Sequence, residues 1–190
     1  MRLFIAVWVN EEIREAVLDL LGRLSLQAEG VKWTPREQLH FTLKFLGEQR
    51  PELVKDLLPV LEEAGRQEPV FSLSLGRGGV FPAWQNPRIL WLGPDQGEKE
   101  LYSLAHKISQ GITDNRLLPD ERAKENRSFS PHLTIGRVKS PAPQFDRALL
   151  TAGVQGRMTV DGFSLVESIL TPKGPVYKEV QRFSLLEARH

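Results

Sequence analysis

Cysteine is absent from this 190-residue sequence, which excludes disulfides, thiolate nucleophiles and zinc–thiolate sites together. It also suits a reducing compartment, and a cytoplasmic location is expected. Histidine is scarce, with four in the chain, so a metal centre built from several imidazoles has few places to form. No apolar window approaches the roughly 20 residues of a membrane-crossing helix. The run Leu3–Val9 is too short for a secretory signal core, and Asn10-Glu11-Glu12 follows it directly. Charge of neither sign dominates: 25 Lys and Arg against 24 Asp and Glu leave a net charge of +1. A broad basic field is therefore missing, and any nucleic-acid contact should be local, with a strand end or small fragment rather than a long duplex.

With 41% hydrophobic and 26% charged residues, the chain has enough apolar material for a sizeable core without staples. The pattern predicts α+β architecture. Arg2–Val9 reads as a buried strand. Asn10 then caps a helix whose first turn carries Glu11 and Glu12 and whose apolar stripe is Ile13, Val17, Leu20, Leu21 and Leu24. A strand over Leu39–Leu46 and a helix over Pro51–Ala64 follow, the latter expected to kink or end at Pro59. Val70–Leu75 and Arg88–Leu92 read as strands joined by a long connection, Gly76–Pro87. Gly97–Gln110 reads as a helix stopped by Gly111. The charged segment Thr113–Arg127 reads as a surface loop. A strand over His132–Val138, a short helix near Phe145–Leu150 and closing strands Met158–Leu170 and Val176–Leu186 complete the chain. The order strand, helix, strand, helix occurs loosely in both halves. This predicts a single domain over residues 1–190, with two pseudo-symmetric lobes of mainly antiparallel sheet, outer helices and a cleft between them. A monomer is the default, since long exposed apolar heptads are absent.

The same pattern stands once in each half: His40-Phe41-Thr42-Leu43 and His132-Leu133-Thr134-Ile135. Successive strand side chains point to opposite faces, so each His-x-Thr aims an imidazole and a hydroxyl the same way, roughly 7 Å apart. Lys44 falls on the face of His40 and Thr42 by the same alternation, while Leu39, Phe41, Leu43 and Phe45 share the other. One such strand is most simply a polar solvent face; two copies in a chain with four histidines ask for chemistry. A metal site fits poorly, because the position two after each histidine holds threonine instead of the carboxylate that oxygenase-type sites use. Acid–base work on a phosphate fits better. An imidazole near pKa 6.5 exists in both forms around neutral pH, and the hydroxyls can hold non-bridging oxygens. No cofactor is required.

His106 lies off the apolar stripe of its helix and His190 is terminal; both read as exposed and inert. Gly76-Arg77-Gly78-Gly79 lacks the Gly-Lys-Ser/Thr of a phosphate loop and reads as a turn. Ser130 lacks the Gly-x-Ser-x-Gly context of a nucleophile and, with Pro131, starts the second motif strand.

The context Leu39-His-Phe-Thr-Leu-Lys-Phe-Leu-Gly47 and Ser130-Pro-His-Leu-Thr-Ile-Gly-Arg137 resembles the two-histidine phosphoesterase superfamily. Within it the chain is most similar to the bacterial and archaeal RNA 2′,3′-cyclic phosphodiesterases, also called 2′-5′ RNA ligases. Arg2-Leu-Phe-Ile-Ala6, Pro87-Arg-Ile-Leu-Trp-Leu-Gly93 and Gly174-Pro-Val-Tyr177 agree with it. The charged run Asp120–Arg127 is a departure that bears on what borders the cleft. The resemblance implies hydrolysis of RNA or nucleotide 2′,3′-cyclic phosphates to 2′-phosphomonoesters. His40 would be the proton donor to the leaving 3′-oxygen, His132 the base, and Thr42 and Thr134 the phosphate ligands. Further substrate contacts are expected from Arg137, Lys44, Phe129 and Tyr177, with Trp84 another aromatic able to stack on a base. Alternation points Arg137 away from His132 unless a bulge at Gly136 returns it. Two alternatives stay open: 2′-5′ ligation as the main activity, and an RNA-end or nucleotide-binding module without turnover.

Overall fold

A computed structural model describes residues 1–119, 129–139 and 145–187 of the chain. Strands β1 (Arg2–Trp8), β2 (Val31–Trp33), β3 (His40–Glu48), β4 (Phe71–Ala83), β5 (Asn86–Gln96), β6 (Leu133–Val138), β7 (Arg157–Val160), β8 (Gly162–Thr171) and β9 (Gly174–Ser184) join in one curled antiparallel sheet. The strand order is β7-β4-β5-β6-β3-β1-β8-β9, with β2 added on β6. Helices α1 (Glu11–Ser25), α2 (Leu53–Arg66), α3 (Glu98–Asp114) and α4 (Arg147–Ala152) pack outside it. The predicted α+β class, mainly antiparallel and with outer helices, is what forms.

The repeated order is visible as β1-α1-β3-α2 and β5-α3-β6-α4, with β3 and β6 side by side at the centre. Their pairing is slight, Phe41 opposite Leu133, so the two halves of the sheet diverge there and leave a cleft. The lobes are not halves of the sequence. β8 and β9, from the C-terminal end, flank β1, while β4 and β7 flank β5.

One large core lies on the helix side. β1 sends Leu3, Ile5 and Val7 into it, and Phe4 and Ala6 to the cleft side, where they meet Val166, Trp8 and Tyr177. Helix α1 buries Ile13, Val17, Leu20, Leu21 and Leu24, the expected stripe, and the Asn10 side chain accepts a hydrogen bond from the Ile13 amide at 2.9 Å.

Several elements differ from the sequence reading for physical reasons. Pro59 lies inside α2 on its exposed side, as does Lys55, whose carbonyl loses its amide donor on the solvent side of the helix rather than in the core. Gly111 does not stop α3. A Cβ there would stand 2.8 Å from Val60 Cγ1, so the glycine serves the close approach of α2 to α3, and Thr113 and Asp114 are helical. Gly76–Pro87 is no loop: β4 and β5 run on as one long hairpin. Gly78 and Gly79 sit inside β4 because a Cβ would meet the Leu150 carbonyl of α4 and the Trp91 ring, each at 2.5 Å. The expected strand 158–170 breaks at Asp161 into β7 and β8, and the short helix begins at Arg147. Positions 120–127 of the charged segment, and His190, lie outside the described residues. Among the described residues no helix is long and apolar enough to cross a membrane.

Candidate active site

Each motif histidine is held by the main chain just before it. His40 Nδ1 lies 2.6 Å from the Gln38 carbonyl, and His132 Nδ1 lies 2.7 Å from the Ser130 carbonyl. A carbonyl only accepts, so both Nδ1 atoms carry a proton and donate, which leaves each Nε2 as the nitrogen without a proton while the ring is neutral. Thr42 Oγ1 is 3.0 Å from His40 Nε2 and donates to it while the ring is neutral. His40, Thr42, His132 and Thr134 all line one cleft of about 570 Å³, a size suited to a nucleotide-scale ligand.

Both motif strands carry the same irregularity. In β3, Thr42 pairs with Ala6 but Lys44 with Ile5, so Leu43 is an extra residue. In β6, Thr134 pairs with Trp91 but Gly136 with Leu90, so Ile135 is extra. A bulge inverts the facing of everything beyond it. Lys44 accordingly stands opposite a helix-side core residue, is 8% exposed and does not line the cleft. Phe45 turns to the cleft side instead. In β6 the same shift brings Arg137 back beside Thr134, and Arg137 lines the cleft.

The surroundings of the two rings differ. His40 is boxed by Phe4, Trp8 and Tyr177, with ring centroids 5.1, 5.4 and 5.5 Å away. That burial lowers its pKa from 6.5 to about 4, against the raising effect of the Gln38 hydrogen bond and with help from the positive charge of Arg137 and from His132. His132 meets one ring, Phe81, edge to face at 5.2 Å. Burial also raises the Tyr177 pKa, while Arg137 and Arg2 oppose the rise.

Lys32 and Arg137 sit directly opposite one another on β2 and β6. Like charges so placed repel, and neither enters an ion pair among the described residues, in contrast to Arg36, Arg66, Lys107 and Arg182. An anion between them would relieve the repulsion. Among the described residues no group of three His, Cys, Asp or Glu side chains could hold a metal ion.

A sequence model of the 2′-5′ RNA ligase superfamily matches residues 9–170. The chain belongs to that superfamily. Superfamily relatives named RNA 2′,3′-cyclic phosphodiesterase include one from Archaeoglobus fulgidus, 39% identical, with 96% of this chain and 99% of the relative aligned. Another, from Thermus thermophilus, is 37% identical over 97% of this chain and 90% of its own length. Among solved structures, a Thermus thermophilus protein superposes with a TM-score of 0.86 at 34% identity over all of both chains. Apo E. coli LigT superposes with 0.75 at 28% identity, over 97% of each chain.

The other side chains expected at the superfamily's cleft sort by position. Tyr177 lines the cleft. Phe129 does not; its ring packs on Tyr102 of α3 at 5.2 Å. Trp84 packs on Phe145 and under Arg147, away from the cleft. His106 is exposed on α3. The cleft-lining Arg2, Lys32, Gln38 and Phe45 escaped the sequence reading. Lys32 and Gln38 sit in segments with no strong periodicity, and Phe45 was hidden by the bulge.

Proposed function

We propose that the chain, acting as one two-lobed domain in the cytoplasm, hydrolyses RNA or nucleotide 2′,3′-cyclic phosphates to 2′-phosphomonoesters without a metal. The observation that carries this is the matched pair of histidines, each with Nδ1–H tied to a carbonyl two residues back and its ring lining one cleft. Binding alone has no need of two such tautomer locks. The names of the relatives at 39% and 37% identity support the reaction class, and E. coli LigT has been crystallised with 3′-AMP and with phosphate.

In the step, water oxygen bonds to phosphorus as His132 Nε2 takes its proton. The P–O3′ bond breaks with its electron pair on O3′, which takes the Nε2 proton of His40. The products are a 2′-monoester, neutral His40 and protonated His132, and exchange with solvent resets the pair. Thr42, Thr134 and Arg137 hold the phosphoryl oxygens as charge builds. His40 must enter this step charged although burial holds the free ring near pKa 4; the bound phosphate anion beside it pulls the proton on, and Thr42 then turns its hydroxyl from Nε2 to the phosphate. With a 5′-hydroxyl attacking phosphorus in place of water, the same groups ligate: His132 takes the hydroxyl proton, O3′ leaves with the proton of His40, and a 2′-5′ diester results.

The test is incubation with a 2′,3′-cyclic nucleotide or a short RNA bearing that end, with EDTA present, and phosphorus NMR of the product. A 2′-monophosphate is expected. A 3′-monophosphate would reverse the leaving group, and no product from either substrate would overturn the proposal.

A further inference from the structure

The cleft has unlike ends. At one, Gln38 Nε2 donates to the Pro175 carbonyl at 2.8 Å, and Lys32 Nζ reaches the β8–β9 turn, 3.1 Å from where a Cβ on Gly174 would stand. The β2 side and the β8–β9 hairpin thus touch across the cleft and close it there. At the far end of β3, Phe45 is 59% exposed yet lines the cleft. It continues an aromatic row, with Phe4 6.2 Å from Phe45 and 4.9 Å from Tyr177. Arg2, two residues before Phe4 on the same strand face, borders this end, is exposed and enters no ion pair among the described residues.

An exposed aromatic edged by an unpaired guanidinium is the composition that single-stranded nucleic acid selects, a ring for a base and a cation for the backbone. We infer that Phe45 and Arg2 form the subsite through which the RNA strand leaves the reacting phosphate, the terminal base stacking on Phe45 and the phosphate one nucleotide upstream meeting Arg2. This rests on the hydrolytic reading above and extends it to a preferred substrate class, oligonucleotide ends over free cyclic nucleotides.

The experiment compares kcat/KM for a 2′,3′-cyclic mononucleotide, which has no upstream phosphate, with a dinucleotide ending in the same cyclic phosphate. Wild type should favour the dinucleotide by about tenfold, the worth of one charge-assisted contact. Arg2→Gln should collapse that ratio toward one and lower the salt dependence of KM for the dinucleotide. Phe45→Ala should raise KM about tenfold for both substrates with kcat nearly kept, and Phe45→Tyr should restore it. Arg23→Gln, on the outer face of α1, controls for lost charge, and melting temperatures report folding. An unchanged ratio in Arg2→Gln, or a ratio that collapses in Lys32→Gln instead, would overturn the inference while hydrolysis itself stands. If wild type turns over neither substrate, the hydrolytic reading fails first.

Discussion

The two motif strands are alike in backbone and unlike in surroundings. Each has His-x-Thr, a tautomer-fixing carbonyl two residues before the histidine, and a bulge directly after the threonine. Beyond the bulge, β3 presents Phe45 and β6 presents Arg137 to the cleft. His40 is enclosed by three aromatic rings and His132 meets one. A duplicated geometry therefore brings two like imidazoles to one cleft, and the flanking side chains make their surroundings unlike, with an apolar wall around His40 and Arg137 beyond the bulge of β6. Burial holds the free His40 ring neutral, so the donor role proposed for it depends on a bound phosphate anion that draws a proton onto the ring.

The largest disturbance of this comparison is removal of either ring. His40→Ala and His132→Ala should each lower turnover by about 10²–10⁴-fold, because each deletes one proton transfer, while His106→Ala should leave it unchanged. Steady-state kinetics on a cyclic nucleotide checks this, and an equal loss in His106→Ala would contradict it.

Next in size is the acid sensitivity that the aromatic box imposes. The folded pKa of His40, about 4, lies below its ordinary 6.5, so the unfolded chain takes up that proton first. Stability must then fall as pH drops from about 6.5 toward 4 and level off below, by on the order of 3 kcal/mol for this group. Denaturant titrations of wild type and His40→Asn across that window should show a shallower acid loss in the variant.

Arg137→Ala tests the opposite wall. It should cost kcat/KM about 10- to 100-fold, with Arg137→Lys recovering part, since a point charge replaces a two-pronged donor. The smallest expected effect is on the scaffold. A Cβ at Gly136 would stand 2.9 Å from Val31 Cγ1 and 3.0 Å from the Trp33 ring, so Gly136→Ala should loosen β2 and cost about 1–3 kcal/mol of stability. Thermal unfolding would show it.

Much of this was legible in the sequence. The β1 and α1 patterns, the Asn10 cap, the α+β order and the histidine–threonine pairs all follow from local periodicity and residue chemistry. What escaped depends on a partner strand or helix. Alternation placed Lys44 in the cleft and Phe45 in the core, and a single extra residue in β3 reverses both. The bulge that returns Arg137 was foreseeable only as an option at Gly136. The glycines at 78, 79 and 111 read as turn or stop signals, yet each answers to a neighbour packed against it in three dimensions. Three-residue β2, which brings Lys32 to the site, is too short to carry a period.

The difference between the two motif strands is tested most directly by nitrogen-15 NMR titration of the histidine side chains, with and without saturating inorganic phosphate. The structure predicts that His40 is an Nδ1–H tautomer at neutral pH, titrates near pH 4 in the free protein and moves upward when phosphate fills the cleft. A His40 that titrates near 6.5 and does not respond to phosphate would contradict it.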